Sequence, residues 1–362
     1  VGGTNIERAL SEALAHAGRG RPHIVIFLTD GLATEGITDT EAIIEGVKRS
    51  ATEDTRLFAF GVGDDVNTIL LDTISQSHRG TSNYVRPGED IEAEVSKFYA
   101  KISTPLLADL ELDFGEVRVE DLHPYPLPDL FVGSQIVLVG RYHEGGPTRV
   151  VLSGEVNGRP QRFTYHDVRF NESGGEPFIA RLWATRRIGY LLGQIRLHGE
   201  DQELVEAIVD LAVRYGIVTP YTSFLIQEDV DILDRAARPG IAERALEFLS
   251  AVPSGGFGKA AVDRAVGEEA LRQADAVVAS RPEEVKVVGD KAFVNREGVW
   301  TDTAYDPTKM TPQKIGFGSE TYFTFLVARP EWGRYFSLGR HVIVVLDGRA
   351  YEVLEGDFPP VE

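Results

Sequence analysis

The chain has 362 residues, 43% of them hydrophobic, enough for a sizeable core and more than one domain. Its 56 acidic against 37 basic residues give a formal charge of -19, which favours cations and disfavours nucleic acid and anionic membranes. The absence of cysteine excludes disulfides, zinc-thiolate sites and cysteine nucleophiles, and no apolar run approaches the ~20 residues that span a bilayer.

Val1-Gly2-Gly3-Thr4 is not a translation start and shows no basic-then-apolar leader, so the chain is expected to be a fragment whose upstream part, with any targeting signal, is missing. Ile6, Leu10, Ala13 and Leu14 then recur at helical spacing. That helix feeds Ile24-Val25-Ile26-Phe27-Leu28-Thr29-Asp30-Gly31, around which the first hundred residues are organised. Five apolar residues without alternation suit a parallel strand covered on both faces by helices. Thr38-Asp39 or Thr40 caps the next helix, with Ile43, Ile44 and Val47 inward. Leu57 to Gly63 reads as a second apolar strand, Asp64 to Asn67 as a helix start, and Asn83-Tyr84-Val85 as a short strand. Glu89 to Ser103 reads as an amphipathic helix burying Ile91, Val95, Phe98 and Ile102. Strands alternating with helices predict an α/β fold with a parallel sheet.

After Thr104-Pro105 the texture becomes β-rich, and Asn157-Gly158 between two β-prone runs predicts a hairpin. A β-sandwich-like module is therefore placed at about Leu106 to Phe170. Helices follow over Phe178 to Tyr215, with Ile179, Leu182, Trp183, Ile188, Leu191, Leu192 and Ile195 forming an apolar stripe and a second helix starting near Asp201. Pro220 is expected to end that second helix, with Thr222-Ser223 satisfying freed backbone groups. A short helix is expected between Gly240 and Pro253, and another from Lys259 to Ser280. The remainder is β-rich, with turns at Gly289-Asp290, Glu297-Gly298 and Asp347-Gly348. The expected parts are 1–104, 105–175, 176–281 and 282–362.

Enzyme signatures fail. The eight histidines are scattered without an HExxH pair. Ser254-Gly255-Gly256-Phe257-Gly258-Lys259 lacks the leading glycine of a phosphate-binding loop, where Pro253 stands, and the trailing hydroxyl, where Ala260 stands. Gly316-Phe317-Gly318 lacks a third glycine, and neither Ser134 nor Ser319 sits in a nucleophile elbow. Asn171-Glu172-Ser173 matches a glycosylation sequon, a pattern that chance also supplies. One constellation survives. Thr4 precedes a helix and Asp30 follows a strand, both at the same edge of a parallel sheet, where α/β folds bind ligands. A hydroxyl and a carboxylate there suit a hard cation such as Mg²⁺, although Asp30 also has the plainer reading of a turn residue.

Gly2-Gly3-Thr4-Asn5-Ile6, the Leu28-Thr29-Asp30-Gly31 strand end, Phe58 to Asn67 and Ser82 to Glu92 resemble the second half of a von Willebrand factor A domain. Such domains carry a metal-ion-dependent adhesion site with a DxSxS motif on one loop, a threonine on the second and an aspartate on the third. Thr4 matches the threonine and Asp30 the aspartate, and the DxSxS loop would lie upstream of Val1. Leu182 to Gly189 and Leu211 to Leu225 are similar to a stretch of the inter-α-trypsin inhibitor heavy chains and their bacterial relatives. The only Asp-Pro, Asp306-Pro307, is followed by Thr308-Lys309, so the heavy chains' transfer to hyaluronan is not implied.

The resemblance implies a partial doubly wound sheet followed by β-sandwich-like, helical and β-rich modules. Three further strands would lie on one side of Ile24 to Leu28, leaving that strand an open edge in this chain. It implies a non-enzymatic, secreted or envelope-associated protein-binding module of bacterial type. Thr4 and Asp30 would be an incomplete set of ligands for Mg²⁺, Mn²⁺ or Ca²⁺, and a partner's Asp or Glu carboxylate would complete the metal's coordination. No nucleic acid or membrane-spanning segment enters this reading. Two alternatives stay open: an intracellular A-domain subunit of a metal-chelatase or ATPase complex, and an enzyme with its site in the C-terminal third.

Overall fold

The computed structural model describes residues 3–17, 22–102, 104–172, 174–199, 201–219, 221, 240, 242–243, 256–275, 285–356 and 358. They fall into two compact units, one of Val1–Gly175, Leu192–Gly199 and Pro253–Asp275, the other of Glu176–Leu191, Glu200–Val252 and Ala276–Glu362.

The first unit begins with alternating helices and strands: α1 (Ile6–Leu14), β1 (His23–Thr29), α2 (Thr40–Ser50), β2 (Thr55–Val62), α3 (Thr68–Ser77), β3 (Ser82–Val85) and α4 (Ile91–Ile102). The strands form a parallel sheet in the order β1-β2-β3. Parallel neighbours need crossover connections, which α2 and α3 supply. Side-chain oxygens start three helices: Asn5 for α1, Asp39 for α2 and Asn67 for α3. Ile6, Leu10, Ile43, Val47, Leu57, Leu70, Leu71 and Ile74 share one core with Val262 of α7 (Lys259–Arg272).

β1 lies at an edge of the sheet among the described strands, as the resemblance implies, but its two faces are less covered than its apolar run leads one to expect. β2 is buried along nearly its whole length, whereas β1 buries only Val25 and Thr29 and leaves Leu28 46% exposed. The reason is position: β2 has strand neighbours on both sides and β1, among the described residues, on one. Helix α4 also departs from its expected face, since Ile102 is buried but Ile91 is exposed.

The β-rich part of this unit is a four-stranded sheet, β6-β4-β8-β9, beside a two-stranded β5-β7. Its strands are β4 (Pro105–Asp113), β5 (Val119–His123), β6 (Leu130–Phe131), β7 (Val139–Tyr142), β8 (Gly146–Val156) and β9 (Arg159–Phe170). The β8–β9 hairpin turns at Asn157 and Gly158, with φ of 51° and 70°, the left-handed pair that suits a two-residue hairpin loop.

Helix α5 (Pro177–His198) carries the stripe Leu182 to Ile195 buried but exposes Ile179, so the stripe starts later than expected. In the second unit α6 (Gln202–Tyr215) is capped by Asp201 and ends on Gly216 at φ 62°, so glycine rather than Pro220 stops it. Pro220, Thr222 and Ser223 lie outside the described residues, as does nearly all of the helix expected between Gly240 and Pro253. α7 ends at Arg272, short of the expected Ser280.

The rest of the second unit is a six-stranded sheet, β10-β11-β12-β14-β15-β13. It comprises β10 (Val285–Val288), β11 (Lys291–Arg296), β12 (Val299–Asp302), β13 (Gln313–Gly316), β14 (Val342–Leu346) and β15 (Arg349–Leu354). Helices α8 (Glu320–Ala328) and α9 (Gly333–Phe336) carry Tyr322, Tyr335 and Phe336 into an aromatic core with Phe293 and Tyr351. No helix among the described residues is long and apolar enough to cross a membrane.

Candidate functional site

The site is built at the carboxyl edge of the parallel sheet. Thr29 ends β1, and its hydroxyl bridges the turn that follows, donating to the Gly31 carbonyl at 3.0 Å and accepting from the Gly31 amide at 3.3 Å. Asp30 between them is exposed. The loop beyond it is tied to the start of α1. The Thr4 amide donates to Thr34 Oγ1 at 2.8 Å, while the amides of Thr34 and Glu35 donate to the Thr4 carbonyl at 2.9 and 3.2 Å. Glu35 closes over the same loop, since a Cβ on Gly3 would stand 2.7 Å from its Oε2. Three backbone anchors therefore hold half-buried Thr4 at the loop that follows Asp30.

The next loop along that edge is equally fixed. Asn67 accepts from the Leu70 amide at 3.0 Å and donates to Thr40 Oγ1 at 2.9 Å, joining the starts of α2 and α3. The Thr68 amide donates to the Gly256 carbonyl at 2.8 Å, and the Gly258 amide to the Asp64 carbonyl at 3.0 Å, which seats the start of α7 there.

Thr4 and Asp30 supply neutral and anionic oxygen, the right kind of donor for a hard divalent cation, which takes six or more oxygens. In number they fall short. Among the described residues no group of three or more His, Asp or Glu is placed to hold a metal ion. By their chemistry these donors fit such an ion in kind, and alone they would fill only part of its coordination shell.

Two buried ion networks escape sequence reasoning. In the first, the Arg196 guanidinium at the end of α5 donates to Glu268 at 2.6 Å and also pairs with Asp72 of α3. Asp72 in turn accepts from the hydroxyls of Tyr84, at 2.6 Å, and Ser82. Burial alone would lower the Arg196 pKa, but the two carboxylates outweigh it and hold the pKa raised. Burial pushes the Glu268 carboxyl up against the pull of Arg196, and burial with the Asp72 charge pushes the Tyr84 phenol well up. A signal for this network exists in α3, where Thr68, Asp72 and Ser75 form a buried polar row at helical spacing.

In the second, the fully buried Arg56 of β2 donates to Asp129 at 2.5 Å and lies 3.0 Å from Asp109 of β4, which also pairs with Arg79. This network ties the parallel sheet to the β-rich part of the same unit. A cleft of about 580 Å³ flanks edge strand β3, lined by Phe60, Tyr84, Phe98, Val266 and Ala270 among others. Neither Thr4 nor Asp30 reaches it.

Comparison with known proteins bears on this edge. Residues 1–84 match the family model of the von Willebrand factor type A domain. The chain is 27% identical over 250 residues to inter-alpha-trypsin inhibitor heavy chain H2 of Mus musculus, covering 63% of this chain and 26% of that one. With heavy chain H3 of Homo sapiens it is 27% identical over 273 residues, covering 70% of this chain and 30% of that one. It thus spans between a quarter and a third of the length of these relatives. Among solved structures it is similar to a von Willebrand factor type A protein of Catenulispora acidiphila, at 17% identity, 71% of each chain and a TM-score of 0.40. The chain thus carries, over residues 1–84, a match to the von Willebrand factor type A domain and is similar to the inter-alpha-trypsin inhibitor heavy chains.

Proposed function

We propose that this chain is part of a non-enzymatic protein-binding module whose capture of a partner depends on a divalent cation at the Thr4–Asp30 edge. The observation that supports it most is the anchoring of the Thr4 backbone to Thr34 and Glu35, which holds Thr4 at the loop that follows Asp30. The Thr4 hydroxyl and the Asp30 carboxylate would hold the cation, with the remaining oxygens coming from outside this pair. A cation so held attracts an acidic side chain of a partner, and the match to an A domain supports that reading. Secretion, or attachment at a cell envelope, is part of the same proposal and rests on the family resemblance alone.

Calorimetric titration with Mg²⁺ tests it. Two protein oxygens hold a hydrated ion weakly, so the heat is small for this chain and larger in any longer form of the protein that completes the shell. In either form, Asp30→Ala removes the heat, while Glu155→Ala, on β8, leaves it. Unchanged binding in Asp30→Ala sinks the assignment.

A further inference from the structure

Strand β9 is the last of its sheet and is exposed along almost all of its twelve residues. An edge strand offers outward amides and carbonyls at alternate positions, a ready template for another strand, and proteins usually shorten or cover such edges. This one is long, and from Arg162 to Arg169 its basic and aromatic side chains are sorted by face, while Arg159, opposite Val156, falls on the aromatic face. Pairing with β8 sets Arg162 opposite Ser153 and Arg169 opposite Pro147, on one face. Phe163 opposite Leu152 and Tyr165 opposite Val150 lie on the other, 45% and 53% exposed. An extra residue in β9 between Tyr165 and Val168, with Asp167 at φ 60°, keeps both sets on their faces beyond the bulge.

Charge selects the occupant. In a chain of formal charge -19, β9 carries Arg159, Arg162 and Arg169 against one Asp167, and none of the three arginines has an ion pair among the described residues. A second copy of the strand would set arginine against arginine. A polysaccharide or nucleic acid would meet the charge but has no amide and carbonyl row to pair with the open edge. We propose that β9 is a docking edge for an acidic extended peptide, which adds to the sheet as a strand. Its alternate residues are acidic on the Arg162 and Arg169 face and apolar on the Phe163 and Tyr165 face. This edge uses neither Thr4 nor Asp30, so the binding needs no metal.

The test uses the full chain in EDTA and a fluorescent peptide alternating glutamate with valine, read by anisotropy. The alternating peptide binds. Its affinity falls by about tenfold or more in the Arg162→Glu, Arg169→Glu variant, as expected when complementary charges become repulsive. Peptides of the same composition with the glutamates in one block, with lysine for glutamate, or with alternate amides N-methylated do not bind. The N-methylated peptide is decisive without any variant, because it keeps the charge and loses only the backbone pairing. Absence of binding by the alternating peptide overturns the proposal, as does unchanged affinity in the charge-reversed variant. Equal binding of the N-methylated peptide or of heparin overturns it in favour of a polyanion surface. A dimer in sedimentation that the same reversals abolish overturns it in favour of a second copy.

Discussion

Strands β1 and β2 lie side by side, parallel and in register from His23↔Thr55 to Thr29↔Gly61. Both are mostly apolar, yet Phe60 in β2 is 1% exposed while its register partner Leu28 in β1 is 46% exposed. Apolarity sets what a strand is able to bury, while neighbours decide what it does bury. β2 has β1 and β3 beside it, and Phe98 of α4 packs edge-on against both Phe58 and Phe60 with ring centroids 4.9 and 5.1 Å away. β1 has only β2 among the described strands.

The sharpest way to break this contrast is to empty the β2 side. Phe60→Ala removes a fully buried ring and should cost about 3–5 kcal/mol in a urea titration, the range for deleting a core aromatic. Because domains hold only about 5–15 kcal/mol in total, the soluble yield should fall as well. A loss under about 1 kcal/mol would show that β2 is not the centre of the core.

The second test takes the other end of the same strand. Arg56 stands opposite Ile24 and is fully buried against Asp129. Arg56→Leu leaves the Asp129 carboxylate buried without its cation, at a cost of about 3 kcal/mol, the low end for breaking such a pair. Arg56→Leu with Asp129→Leu should recover much of that, because an apolar pair avoids burying two charges. A double variant no more stable than the single one would mean that geometry rather than charge holds the contact.

How much of this was legible in the sequence follows from distance along the chain. The caps Asn5, Asp39, Asn67 and Asp201 and the turn at Asn157-Gly158 act within a few residues, so local chemistry reveals them. The placement of Thr4 beside the loop after Asp30 is nearly as local, one helix and one strand away. Arg56 and Asp129 are 73 residues apart, and Arg196 is 124 from Asp72, so no window contains both partners. The same limit holds for β1, since an apolar run carries no record of which of its sides is paired; the expectation of an open edge there comes from the family resemblance and not from the run itself.

A smaller effect is a slope in pH. The Glu268 carboxyl is raised above its ordinary value, so it holds its proton more tightly in the folded state than in the unfolded one. The associated stability is complete below the ordinary carboxylate pKa of about 4.3 and is lost as pH rises through the folded value. Glu268→Gln cannot titrate. Its stability relative to the native chain should therefore rise across that window, measured as urea midpoints at successive pH values. A difference that stays flat or falls would mean that the Arg196 pair outweighs burial at this carboxyl.

The smallest effect belongs to β1 itself. Leu28 is about half exposed, so Leu28→Ser gives up only part of the roughly 1.5–3 kcal/mol that a fully buried leucine contributes. A cost near 1 kcal/mol is expected, against about 3–5 for its partner Phe60→Ala. The two variants alter residues opposite each other on one sheet, so the ratio of their costs measures the asymmetry directly. If Leu28→Ser costs as much as a core deletion, the open side of β1 is covered in solution. The concentration dependence of the urea midpoint then identifies the cover: a midpoint that climbs with protein concentration means that copies pair along β1, as exposed apolar edges do. A small cost with no concentration dependence leaves β1 an edge in solution as it is among the described strands, with β2 carrying the core.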